Sequence, residues 1–286
     1  MERVHSLQDN LVKYLNTSYN TRAKDCFSPI RTLFTDDCIA REKGYFQGGA
    51  RYTFAIPSDS GIPNTIDSLL AIKTLVFDQH LYTADDFLGA LREQNAKFIS
   101  DLRDCPCYGV GNEEADALMH RFTDSFYAYY ETKSMDIGLG LFPTSHQFVR
   151  HVPEGALVGP TPDGRGNGQA LSDSIAAVNG KATLGPTAML LSASRYAQDR
   201  IYGIPVLNLS IQKSLPPAAL RALVEGYFRM GGTQMQITCV SRETMIDAKK
   251  NPDAHRDLLV RVGGYSAYFC NLNPGLQDAL IERTIF

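Results

Sequence analysis

Apolar positions recur at threes and fours over residues 2–17, where Val4, Leu7, Leu11 and Leu15 predict an amphipathic first helix. The same spacing predicts helices over 67–78 and 83–102, the second with Thr83 at its N-cap and acids in its first turn. A longer helix follows Asn112, with Leu118, Phe122, Phe126 and Tyr130 on one apolar stripe. The pattern then changes. Residues 140–168 are rich in Gly and Pro and read as short strands and loops, with "TPDGRGNG" (161–168) an exposed turn. His146 and His151 fall in this stretch and read as loop or surface residues, because no carboxylate or thiol cluster accompanies them.

From residue 185 onward apolar runs alternate with helical patterns. Residues 185–193 are a short apolar run, and 205–211, 234–240 and 258–262 read as strands. Helices are predicted over "PPAALRALVEGYFRM", from Ser241 to a stop at Asn251-Pro252, and over "PGLQDALIERTI". Strand–helix alternation with strands apolar on both faces predicts an α/β fold with parallel strands.

Composition narrows the picture little. The 286 residues are 44% hydrophobic and 21% charged with a net charge of −3, which gives no reason to expect nucleic acid or an anionic membrane as partner. No apolar run approaches bilayer length, and the start "MERVHSLQDNL" lacks the apolar core of a signal peptide, so the expected address is cytoplasmic. The six cysteines are scattered apart from Cys105 and Cys107, lack histidines at zinc spacing, and read as free thiols; no metal site is expected.

One short segment raises a chemical question. In "RVGGYSAYF" (261–269) a strand runs into Gly263-Gly264 and then an aromatic stretch. The pair can be turn punctuation that needs a positive φ, or one glycine can be there for its chemistry. No phosphate-cradling glycine pattern, Ser-His-Asp order or metal triad competes for attention.

Arg261-Val262-Gly263-Gly264-Tyr265-Ser266, with Phe269 beyond, resembles the C-terminal signature of the glycyl radical enzymes, the family of pyruvate formate-lyase. Upstream, "DDCIAREKGYFQGGARYTF", "GIPNTIDSLLAIKTLVF", "TPDGRGNGQALSDSIAAVNG", "LGPTAMLLSASR" and "GGTQMQITCV" resemble family segments in the same order, so the resemblance spans nearly the whole chain. It implies the second half of a ten-stranded β/α barrel with surrounding helices and a C-terminal glycyl radical loop. It also implies a barrel part over residues 1–160 and a glycyl radical domain over 161–286.

The resemblance assigns the radical to Gly264, the residue before the signature tyrosine, and the residue type has a reason. A backbone α-carbon radical is delocalised over the flanking amides only when planar, and a β-carbon would clash there. Val262, Tyr265, Tyr268 and Phe269 would pack such a loop into a barrel. Thr187, Asn208 and Gln236, polar positions expected on apolar inner strands, are candidates to face a substrate cavity.

The resemblance further implies that nothing is bound as a cofactor. The radical would be installed by a separate activating enzyme using S-adenosylmethionine and a [4Fe–4S] cluster. The family's catalytic cysteine, on a loop between the half-barrels, has no counterpart among the six cysteines. The expected partners are therefore the activating enzyme, an N-terminal half or subunit carrying that cysteine, and a small-molecule substrate. The tail looks most like the branch of diol dehydratases, choline lyases and arylacetate decarboxylases. The expected activity is anaerobic radical cleavage of a C–C, C–O or C–N bond, absent without the N-terminal half. A radical-carrying spare part for a damaged parent enzyme and an inert gene fragment are the alternatives.

Overall fold

A computed structural model describes residues 1–146 and 149–286; residues 147 and 148 of the loop-rich middle lie outside the described residues. Helix α1 spans Glu2–Asp25, well past the expected end. Its buried face is also rotated from the expected one. Gln8 and Val12 are buried, with Leu15 and Tyr19 packed behind them, whereas Leu7 is exposed. Gln8 Nε2 donates to the Phe126 carbonyl at 2.8 Å, so a polar residue anchors the stripe.

A short α2 (Pro29–Leu33) and strand β1 (Phe54–Ala55) precede α3 (Ile62–Ile72), which continues as a π-turn over Lys73–Asp78. The expected helix over 83–102 is two helices, α4 (Ala84–Glu93) and α5 (Ala96–Arg103). Gln94 turns left-handed (φ 48°) between them, and Asn95 caps the second by accepting from the Phe98 N–H at 3.0 Å. The Thr83 cap forms as expected, accepting from the Asp86 N–H at 3.1 Å.

Helix α6 (Glu113–Glu131) begins at the expected Asn112 cap, where Asn112 Oδ1 accepts from the Ala115 N–H at 3.0 Å. Its buried positions are Ala115, Asp116, Met119, Thr123, Tyr127 and Tyr130. Of the expected stripe only Tyr130 is among them.

After β2 (Gly140–Leu141) and α7 (His151–Ala156), the apolar run at 185 forms helix α8 (Gly185–Ser194). Pro186 sits in its first turn, and Ala, Met and Leu favour a helix where β-branched residues are scarce. Thr187, expected on an inner strand, therefore lies exposed in the first turn of a helix. Strand β3 (Asn208–Ser210), α9 (Pro217–Arg229), β4 (Gln236–Thr238), α10 (Arg242–Lys250), β5 (Leu259–Arg261), β6 (Ser266–Tyr268) and α11 (Pro274–Glu282) complete the chain. Ser241 caps α10 through the Thr244 N–H at 3.1 Å, and the helix ends before Asn251-Pro252 as the sequence predicts.

The chain is an α/β structure in two compact units. One comprises Met1–Ser58, Phe122–Thr144 and Arg200–Gly203, with β1 and β2 pairing in parallel. Its core holds Val12, Ala55, Tyr130, Met135, Leu139 and Leu141.

The second unit comprises Asp59–Arg121, Ser145–Asp199 and Ile204–Phe286. There α9 carries the chain from β3 to a parallel β4, in the register Asn208↔Gln236. Strand β5 departs from the expected parallel order and pairs antiparallel with β6. A core of Met245, Ala248, Val260, Val262, Phe269, Leu276 and Leu280 underlies this hairpin, and burying a residue such as Val262 or Phe269 contributes ~1.5–3 kcal/mol.

Two expectations about the loop-rich middle are corrected in this unit. The loop over 161–168 is not wholly exposed: Asp163 and Arg165 are buried. Asp163 Oδ2 accepts from Asn64 Nδ2 at 2.6 Å, and the Arg165 guanidinium donates to the carbonyls of Gly155, Val158, Gly159 and Gln169. A guanidinium that meets so many carbonyls satisfies backbone that a loop would otherwise leave bare. His151 is likewise buried in α7, and burial lowers its pKa.

Candidate functional site

The segment that posed the chemical question is a β-hairpin. Arg261 pairs with Ser266, Val260 with Ala267 and Leu259 with Tyr268. The Val262 N–H donates to the Tyr265 carbonyl at 3.0 Å, leaving Gly263 and Gly264 as the turn. Only the second glycine has a positive φ, 80°, as the third position of a type II turn requires. A β-carbon at that φ is strained, so Gly264 is required for backbone reasons before any chemistry is considered.

The turn is anchored on one side and open on the other. Val262 and Phe269 are fully buried, while Gly264 is exposed and Tyr265 and Tyr268 are 41% and 49% exposed. The aromatic flank thus divides: Val262 and Phe269 pack, and the two tyrosines do not.

Polar contacts fix the turn from three directions. Gln236, on β4, accepts through Oε1 from the Gly264 N–H at 3.1 Å and from Arg261 Nε at 2.7 Å. Arg261 also reaches across the hairpin, with Nη1 3.1 Å from Ser266 Oγ and Nη2 3.4 Å from the Gly264 carbonyl. His146 Nε2 lies 3.4 Å from the Gly263 carbonyl.

From beneath, Arg283 donates to the carbonyls of Arg261 (3.0 Å) and Val262 (2.8 Å) and forms an ion pair with Asp173. Both charged side chains are 9% exposed. Asn208 Nδ2 donates to Asp173 Oδ2 at 2.9 Å, which joins β3 to the same network. The cavity that Asn208 lines with Asp173 and Arg283 measures about 30 Å³.

The structure therefore brings Arg261, Val262, Gly263, Gly264, Ser266, Asn208 and Gln236 into one network and leaves Thr187 on α8. Sequence reasoning missed Arg283, Asp173 and His146. An arginine in the apolar closing segment "LIERTI" was the available signal for the first.

The remaining titratable groups have simpler surroundings. All six cysteines are free. Burial pushes the thiols of Cys105 and Cys107 up to about 11, which keeps them protonated and poorly nucleophilic. Asp67, buried on α3, accepts from the Tyr108 N–H at 2.8 Å, and burial pushes its carboxyl up to about 7. Among the described residues, no group of three or more His, Cys, Asp or Glu side chains could hold a metal ion. Nor is any helix there long and apolar enough to cross a membrane.

Comparison with known proteins places this hairpin in a family. Residues 171–270 match the family described as Glycine radical, and residues 2–149 match Pyruvate formate lyase-like. The chain belongs to the pyruvate formate lyase-like family of glycyl radical enzymes. A probable dehydratase, YbiW, of Escherichia coli is 35% identical over 88% of this chain and 34% of its own length. Trans-4-hydroxy-L-proline dehydratase of Clostridioides difficile is 30% identical over 99% of this chain and 37% of its own. Among solved structures, one of 1,2-propanediol dehydration in Roseburia inulinivorans superposes with a TM-score of 0.95 at 29% identity, covering 100% of this chain and 38% of that one. The chain thus spans about a third of the length of these relatives.

Proposed function

We propose that Gly264 stores a backbone radical and passes it to a cysteine supplied by an N-terminal part of the enzyme. The observation that carries this reading is the turn itself. Gly264 is exposed at the tip, needs a glycine's φ, and has both its N–H and its carbonyl held by side chains. In this reading Cα of Gly264 loses one hydrogen atom to an activating enzyme that uses S-adenosylmethionine and a [4Fe–4S] cluster. The glycyl radical then takes the hydrogen of a cysteine S–H, leaving a thiyl that abstracts hydrogen from a small-molecule substrate.

We read residues 161–286 as the radical-bearing part, with Asn208 and Gln236 nearest the radical and Thr187 apart from it. The whole enzyme would be a cytoplasmic lyase of anaerobic metabolism. Dehydratases among the relatives favour C–O cleavage over the C–C or C–N alternatives. This chain alone would not turn over.

The test is anaerobic incubation with such an activating enzyme, followed by electron paramagnetic resonance. A doublet that collapses when the protein carries α-deuterated glycine, and that is absent in Gly264→Ala, is the expected result. No signal, or one that survives in Gly264→Ala, overturns the assignment. The isotope arm stands even where the alanine variant is strained by its φ.

A further inference from the structure

We infer that Gln236, 28 residues upstream of the turn and on a different strand, is the positioning residue for the radical carbon. It holds the Gly264 amide in the plane and with the polarity that the radical needs. The inference rests on reading Gly264 as the radical site.

The orientation of the Gln236 amide follows from its neighbours. Both groups that face it, the Gly264 N–H at 3.1 Å and Arg261 Nε–H at 2.7 Å, can only donate. The oxygen must therefore be the end that faces them, and the assignment of O and N at the tip of this side chain is fixed by chemistry. The side chain is 5% exposed, so no solvent competes for that oxygen. Its Nε2 is buried and has no partner among the described residues. A glutamine serving only to fill space or pair with backbone would satisfy both ends. This one leaves its donor end unmatched and directs its acceptor to the turn.

The two bonds on Gly264 act in a common direction. A glycyl radical is stabilised because the adjoining nitrogen pushes electron density toward Cα while the adjoining carbonyl withdraws it. An acceptor on the N–H makes the nitrogen a better donor. A cation at the carbonyl oxygen makes that group a better acceptor. Gln236 supplies the first, and Arg261 Nη2, 3.4 Å from the Gly264 carbonyl, supplies the second. Arg261 also donates to the Gln236 oxygen, so one guanidinium links the push and pull sides. The bond to the N–H further limits rotation of the Val262–Tyr265 turn, where a single amide flip would take the flanking peptides out of conjugation.

Two variants separate this role from plain support. Gln236→Met keeps length and volume but removes the strong acceptor. Gln236→Glu keeps an acceptor for both donors and can pair with Arg261. In the unactivated protein, amide hydrogen exchange at Gly264 is expected to quicken about tenfold in Gln236→Met, the factor for ~1.4 kcal/mol, a typical hydrogen bond. Exchange at Val262 and Phe269 stays unchanged, and Gln236→Glu restores the wild-type rate.

After activation, the α-proton splitting of the doublet reports spin density on Cα. It should widen in Gln236→Met, where delocalisation weakens, and narrow in Gln236→Glu, where the acceptor is stronger. A purely supporting residue would not move the splitting in opposite directions in the two variants. A wild-type doublet with unaltered splitting and exchange in Gln236→Met overturns the inference and leaves the Gly264 assignment standing. Absence of any wild-type doublet overturns both. If Gln236→Met does not fold, a Gln236→Glu splitting identical to wild type overturns the inference by itself.

Discussion

Arg283→Met removes the guanidinium that lies beneath the hairpin. It leaves the Asp173 carboxylate buried beside Ser174 Oγ (3.3 Å) and Asn208 Nδ2, and takes from the carbonyls of Arg261 and Val262 the Arg283 donors. Breaking a buried ion pair by removing one partner costs ~3–5 kcal/mol, because the remaining charge is left uncompensated. The carbonyl bonds overlap with that figure and are not added to it.

The double variant Arg283→Met/Asp173→Asn removes the stranded charge while its Oδ1 can still accept from Asn208. Its expected cost is ~1–2 kcal/mol, that of the lost carbonyl bonds alone. The double variant should therefore be more stable than Arg283→Met by ~2–3 kcal/mol, visible as a urea-unfolding midpoint that recovers. A loss below ~1 kcal/mol in Arg283→Met, or a double variant no more stable than the single one, would refute the view that this pair supports the hairpin.

Asp67 gives a pH signature. Its folded pKa, about 7, lies above the ordinary 3.8, so between these values the folded chain holds a proton the unfolded chain has lost. Stability should fall as pH rises through that window, by up to an order of 4 kcal/mol. Asp67→Asn should flatten this slope in unfolding measured from pH 4 to 8; an unchanged slope contradicts the assignment. Arg165→Met should cost ~3 kcal/mol in thermal unfolding by baring the carbonyls of Gly155, Val158, Gly159 and Gln169. Arg165→Lys should recover little of this, because an ammonium cannot span the same acceptors; stability near wild type in either variant argues against it.

Helix starts and stops were the most legible part of the chain. Thr83, Asn112 and Ser241 cap where the sequence places caps, because a cap is a local bond between residues three apart. The run at 185–193 was less so, since an apolar segment without polar positions gives no period from which to tell helix from strand. At the break Gln94 itself carries no signal, as glutamine is not a residue that marks a left-handed turn, and the cue is the Asn95 cap beside it. Buried charge was the systematic loss. Asp67, Asp163, Arg165, Asp173 and Arg283 are residue types assigned to the surface by default, and apart from Arg165, which is held by carbonyls of its own loop, each has a partner distant in sequence.

The same distinction runs through the site. "RVGGYSAYF" was readable because its signature is contiguous. The residues that hold it come from β4, from the segment around Asp173 and from Arg283, just past the end of α11. Gln236 stood out as polar in an apolar strand, yet a sequence cannot say whether such a residue faces a substrate or a backbone amide 28 residues away.

Exposure of the turn adds a requirement. A carbon radical on Gly264 would be open to oxygen, with Tyr265, Ser266 and Tyr268 also exposed beside it. The unit that carries the hairpin thus supplies orientation, through Gln236, Arg261 and Arg283, but not shelter. On the proposed reading, shelter would come from surfaces other than its own. The burial pattern suits that division: Val262 and Phe269 fix the base of the turn so firmly that its tip can be presented, and the half-exposed faces of Tyr265 and Tyr268 offer apolar area for whatever closes over it.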